Sequence, residues 1–155
     1  MRYLIFGSGA VGSYLGIRLA LAGQSVSFLT RDRYIKDIRK QGYTISGDGP
    51  PQSLGQPVVY SDPEQALRTE KPDFILLTVK AYDVAKAARS LAAQLSHSQT
   101  VVSFLNGINN ESVLAEQLGE DSILPATLTS AVQTSQPGVV RVERVRGIGL
   151  GGDHP

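Results

Sequence analysis

The chain has 155 residues, with 15 Lys and Arg against 14 Asp and Glu, for a formal charge of +1. A balance this even leaves no basic footprint for nucleic acid and no patch for an anionic membrane surface. With 41% hydrophobic residues and no cysteine, the composition is that of a globular domain in a reducing compartment, the cytoplasm, and it excludes disulfides, thiolate nucleophiles and cysteine–metal sites.

Tyr3-Leu4-Ile5-Phe6 is a short apolar run stopped by Gly7, which predicts a buried strand. Val11, Leu15, Leu19 and Ala22 recur at helical spacing, so a helix is expected over 10–22 with Gly23 as its C-cap. Residues 26–30 form the next strand, and 33–41 a helix closed by Gly42. This strand-helix-strand-helix order implies parallel pairing with right-handed crossovers. Two weak strands, 43–46 and 57–60, flank a Gly-, Pro-, Ser- and Gln-rich stretch, 47–56, read as a loop. Asp62-Pro63-Glu64-Gln65 predicts a helix start, with Asp as N-cap and proline at N1. Residues 74–79 are the strongest buried strand. A helix follows with Val84, Ala88, Leu91 and Leu95 on one face. Next come a strand at 100–104, a helix at 111–118 ended by Gly119, and a sixth parallel strand at 122–124. The pattern then changes: 126–133 and 139–145 read as antiparallel strands joined by Ser135-Gln136-Pro137-Gly138, with no helix between them. The fold class is therefore α/β, a Rossmann-type doubly wound parallel sheet with a short antiparallel C-terminal extension. The dinucleotide-binding core covers residues 1 to about 125 and the extension 126–155.

The chemistry begins at Gly7-Ser8-Gly9-Ala10-Val11-Gly12, a GxGxxG turn between the first strand and the first helix. Gly7 permits the tight turn. Gly9 lets a pyrophosphate approach the backbone, and Gly12 lets the helix pack close to the strand. The helix N-terminus presents free N–H groups to the phosphates, so Ser8, Ala10 and Val11 join the cofactor-binding set. In NAD-binding turns a carboxylate about twenty positions on takes the ribose 2′-hydroxyl. Here the second strand ends in Leu29-Thr30-Arg31-Asp32-Arg33. Arg31 suits a 2′-phosphate, which its guanidinium can bind in bidentate fashion, and points to NADP(H). The alternative is that Arg31 is solvated and Asp32 plays the NAD role.

In open parallel sheets ligands lie at the carboxyl ends of the strands. Lys80 follows the 74–79 strand, where a cation at a helix start opposes the helix dipole unless something uses it. It could pair with a carboxylate or polarise a carbonyl. Asn106-Gly107 follows the 100–104 strand as either a plain turn or an asparagine bridging ribose and substrate. Thr127 and Thr129 alternate as surface threonines commonly do. His97, in a polar loop, and His154, at the C-terminus, stand in no metal-ligand spacing, and no metal is expected. No signal peptide is visible at Met1, and no apolar run approaches the ~18 residues of a membrane span.

Five segments together carry a resemblance: GSGAVGSYLG at 7–16, LTRDR at 29–33, LLTVKAYD at 76–83, NGINN at 106–110 and ATLTSAVQTSQPGVV at 126–140. In this order the chain resembles the N-terminal domain of the ketopantoate reductase (2-dehydropantoate 2-reductase) family. The resemblance implies reduction of a 2-keto acid to a 2-hydroxy acid with NADPH, in pantothenate synthesis. It implies that Gly7, Gly9 and Gly12 hold the pyrophosphate and Arg31 the 2′-phosphate. Lys80 and Asn106 would then lie on the catalytic side, near the nicotinamide ribose and the substrate. Members of the family run to roughly twice this length, with a helical C-terminal domain that supplies a lysine as general acid. That domain is absent from this chain. Without it an apolar face is expected to lie open, a surface on which two copies could form a homodimer. Two other readings remain: a stand-alone dinucleotide-binding or sensing module, and a domain of another Rossmann dehydrogenase.

Overall fold

The computed structural model describes residues 1–96, 98–105 and 110–151. Six parallel strands and one antiparallel edge strand form the main sheet. In chain order the parallel strands are β1 (Arg2–Phe6), β2 (Ser25–Leu29), β5 (Val58–Tyr60), β6 (Phe74–Leu77), β7 (Thr100–Ser103) and β8 (Ile123–Leu128). Their spatial order is β5-β2-β1-β6-β7-β8, and β11 (Ile148–Leu150) closes the edge beside β8. The chain winds outward from β1 to β5, then returns and winds the other way from β6. The carboxyl ends of β1 and β6 therefore mark the topological switch point, where open α/β sheets bind ligands.

Side-chain alternation along the strands divides the core in two. Leu4, Phe6, Ile75, Leu77 and Val101 face one side, where α3 (Pro63–Glu70), α4 (Val84–Ala92) and α5 (Asn110–Leu118) contribute Leu67, Ala88, Leu91 and Leu114. Ile5, Phe28, Leu76 and Val102 face the other side, against α1 (Ala10–Leu21) and α2 (Asp32–Gln41). The 62–65 motif behaves as the sequence predicts. Asp62 caps α3 by accepting from the Glu64 amide at 3.0 Å, and Pro63 occupies the first turn.

Two sequence expectations need correction. The stretch 47–56 is not all loop: Gln52–Leu54 forms β4, antiparallel to β3 (Tyr43–Ser46). Strand β3 stays out of the main sheet and joins a second, four-stranded sheet of order β4-β3-β10-β9. The single strand expected at 126–133 is two strands, because β8 ends at Leu128 and β9 (Ala131–Gln136) begins the second sheet. The break falls at Thr129 and Ser130. Thr129 Oγ1 bonds the Gly147 carbonyl at 2.9 Å and accepts from its amide at 3.0 Å, while Ser130 Oγ accepts from the Arg146 amide at 2.8 Å. These bonds pin a bend shared by both arms of one long hairpin. Its tip, β9 with β10 (Val139–Arg144), lies in the second sheet, and its base, β8 with β11, lies in the main sheet. The Pro137-Gly138 turn at the tip matches the antiparallel pairing read from sequence.

The second sheet covers the outer face of α1, and its Tyr43, Ile45, Val140 and Val142 complete the core on that side. Arg18 on α1 reaches across to pair with Asp48 and donates to Gln52 Oε1 at 2.9 Å. Tyr43 is fully buried and stacks on Phe28 with ring centroids 4.3 Å apart. Its hydroxyl lies beside the Ser8 and Ser13 hydroxyls but makes no hydrogen bond of good geometry. Burial pushes its pKa up to about 12, and the two serines pull only weakly the other way. The native state thus holds this proton more tightly than the unfolded chain, whose tyrosine titrates near 10. The resulting stability is complete below pH 10 and is lost as pH rises towards 12. Denaturant titrations across that range should show a decline of about 1–3 kcal/mol, part of which Tyr43→Phe removes. A Tyr43→Phe protein with an unchanged alkaline slope would contradict this.

Candidate functional site

Strand β1 ends at Phe6, and the chain turns at Gly7 with φ +110°, a conformation open to glycine. The turn is held from three sides. The Gly7 and Ser8 amides donate to the Leu29 carbonyl at the end of β2, at 3.2 and 3.0 Å. Thr78 Oγ1, just past β6, donates to the Gly7 carbonyl at 2.7 Å. Ser13 Oγ on α1 donates to the Ser8 carbonyl at 3.0 Å. The glycine turn is thereby tied to both strands that flank β1.

The three motif glycines differ in what surrounds them. A Cβ on Gly12 would overlap the Gly7 carbonyl oxygen and Thr78 Oγ1, so Gly12 is required by packing. A Cβ on Gly7 would press on Val79 from 3.0 Å. A Cβ on Gly9 would meet nothing within 4 Å. Gly9 is exposed, has an ordinary φ of −75° and carries no side-chain cap for α1. The first intrahelical bond is made by the Ser13 amide to the Gly9 carbonyl at 2.8 Å. The Ala10, Val11 and Gly12 amides have no acceptor among the described residues. Open space over Gly9 and unpaired amides at the positive end of a helix can receive an anionic group.

Arg31 stands at the end of β2 as the N-cap residue of α2, with its side chain about half exposed. Its Nη2 lies 3.3 Å from the Tyr82 hydroxyl, to which it donates, and 3.5 Å from Asp83 Oδ2. Tyr82 first, and Asp83 more weakly, raise the guanidinium pKa further above its usual value. The neighbouring charges of the 31–33 cluster are engaged elsewhere. Asp32 accepts from Ser61 Oγ at 3.1 Å, and Arg33 lies over the Tyr34 ring at 4.7 Å. Lys80 is exposed at the start of a single 3-10 turn, Ala81–Asp83, three residues beyond β6, and makes no ion pair with any described residue. The structure thus brings Arg31 to the connection that carries Lys80. Asn106 lies outside the described residues. The neighbouring strand β7 pairs Ser103 with Leu77 and leads the chain to Leu105.

Sequence reasoning missed Thr78, Tyr82 and Asp83. Thr78 is hidden in the sequence because it reads as part of the 74–79 strand. Tyr82 and Asp83 follow Lys80 by two and three residues, and that nearness to a strand end was the available signal. Among the described residues no group of acidic or histidine side chains could hold a metal ion, and no helix is long and apolar enough to cross a membrane.

Comparison with known proteins gives this geometry its relatives. Residues 3–152 match the family model described as ketopantoate reductase PanE/ApbA. A 2-dehydropantoate 2-reductase of Pyrococcus horikoshii is 37% identical over the whole chain, which covers 48% of that protein. One from Halobacterium salinarum is 32% identical over 91% of the chain and 46% of its own length. The chain thus spans about half the length of the curated relatives it matches. A crystal structure of a PanE/ApbA family ketopantoate reductase from Ralstonia eutropha superposes with a TM-score of 0.86 at 29% identity, covering 97% of this chain and 49% of that one. A D-mandelate dehydrogenase solved with NADH and anilino(oxo)acetate shares the fold, with a TM-score of 0.82 at 20% identity, over 97% of this chain and 47% of that one.

The contrast between Gly9 and Gly12 is testable. Gly9→Ala should leave thermal stability within about 0.5 kcal/mol while weakening dinucleotide binding at least tenfold. Gly12→Ala should cost roughly 1–3 kcal/mol by overpacking. Unaltered binding by a folded Gly9→Ala protein would count against the turn as a phosphate site.

Proposed function

Because the chain belongs to the ketopantoate reductase PanE/ApbA family, we propose that it is the NADPH-binding half of an oxidoreductase that reduces a 2-keto acid to a 2-hydroxy acid in pantothenate synthesis. Residues 1–155 act as its dinucleotide-binding domain. The observation that carries this reading is the pairing of an anion-receptive glycine turn with Arg31 at the end of β2. The open space at Gly9, the unpaired amides of Ala10, Val11 and Gly12, and the guanidinium of Arg31 fit a dinucleotide with phosphates at both positions. Gly7, Ser8, Gly9, Ala10, Val11 and Gly12 hold the pyrophosphate, and Arg31 takes the 2′-phosphate. Bound NADPH supplies the hydride.

The remaining work falls to side chains at the strand ends. Lys80 presents an ammonium group beside the switch point, where it orients a 2-keto acid carboxylate or steadies the charge that develops on the carbonyl oxygen. By the family resemblance Asn106 would bridge the nicotinamide ribose and the substrate through its amide, which both donates and accepts. The general acid comes from outside these 155 residues, in keeping with relatives of about twice the matched length. The absence of cysteine and the balanced charge suit a cytoplasmic enzyme.

Titration of NADPH and NADH against wild type and Arg31→Ala tests the cofactor assignment. The substitution should weaken NADPH by roughly ten- to a hundredfold, the loss of one charge-assisted contact, with little change for NADH. Equal loss for both nucleotides, or loss for neither, would sink it. The 155-residue chain should also bind NADPH without measurable turnover of 2-dehydropantoate, and turnover at an ordinary enzymatic rate would refute that part.

A further inference from the structure

Asp83 is the first residue before α4 and occupies its N-cap position, yet its side chain makes no capping hydrogen bond. An aspartate there ordinarily accepts from the second or third helical amide. Instead its carboxylate lies 3.5 Å from Arg31 Nη2. The contact joins the connection after β2 to the connection after β6, and those two strands flank β1 and its glycine turn. Tyr82 takes part from the same turn, its hydroxyl accepting from the same Arg31 nitrogen at 3.3 Å. The residue assigned above to the 2′-phosphate is therefore already engaged by a negative charge.

Resting on the NADPH reading, we propose that Asp83 is a specificity-determining residue: its carboxylate competes for Arg31 and lowers the preference of this site for a 2′-phosphate over a 2′-hydroxyl. A phosphate that reaches Arg31 must displace the carboxylate or share the guanidinium with it, and like charges a few ångströms apart repel. A ribose 2′-hydroxyl is neutral and can donate to a carboxylate, as it does to the acidic residue of NAD-binding turns. In this chain that acid is supplied from the opposite side of the glycine turn, at the start of α4. Asp32, which sequence position alone would favour for the role, is held by Ser61.

The test is equilibrium binding of NADPH and NADH, followed by the fluorescence of the reduced nicotinamide, to wild type, Asp83→Asn and Asp83→Ala. Thermal melts confirm that each variant is folded. Asp83→Asn should tighten NADPH by on the order of three- to tenfold and leave NADH unchanged or weaker. The ratio of the two Kd values should thus move towards NADPH, and Asp83→Ala should move it the same way. A ratio unchanged in both folded variants, or moved towards NADH, overturns the proposal. Failure of the NADPH reading itself would be seen separately, as an Arg31→Ala protein whose ratio equals that of wild type.

Discussion

The glycine-turn end of this molecule depends on how closely α1 lies against β1 and β2. Two glycines set that distance. A Cβ on Gly12 would run into the backbone of the turn, and one on Gly16 would run into the Phe28 ring. With neither present, Phe28 and Ile5 fill the space beneath the helix, and its first turn sits directly over the end of β1. The second sheet then clamps α1 from outside through Tyr43 and the Arg18–Asp48 pair. A helix held on both faces keeps its terminal amides in place before any ligand arrives, which lowers the ordering cost of binding.

Around this fixed turn, the strand-end side chains are exposed and individually weak. Arg31 and Asp83 are each about half exposed, and an ion pair of that kind adds little to stability. Its place, between the connections that follow β2 and β6, is what distinguishes it. Charges at a strand end can change without altering the fold beneath them. The division is physical: part-buried contacts such as Thr78 to Gly7 hold the geometry of the turn, and the charges around it face solvent.

The long bent hairpin explains how the two sheets stay together. Strands β8 and β11 extend the main sheet, and β9 and β10 continue beyond the Thr129–Ser130 bend into the second. Because β10 also pairs in parallel with β3, a segment near residue 140 is joined to one near residue 45. That long-range pairing builds the cover over α1, and nothing in the local pattern of either segment announces it.

Local signals account for what was legible in the sequence. The buried parallel strands, the GxGxxG turn, the Asp62-Pro63 helix start and the Pro137-Gly138 turn all arise from interactions within a few residues, and all four stand in the structure. The short strand β4, the break at Thr129–Ser130 and the meeting of Arg31 with Tyr82 and Asp83 do not. Strand β4 is three residues long with Leu54 its one apolar side chain, and it exists because β3 offers it a ladder. The break exists because Gly147 and Arg146 return to bond Thr129 and Ser130. Arg31 finds Asp83 because parallel winding sets β2 and β6 on either side of β1. By itself the sequence determined which residues turn, cap and bury, since those preferences belong to the residues and their near neighbours. Only the tertiary structure decided which distant charges meet at the strand ends, because that pairing is set by the order of strands in the sheet.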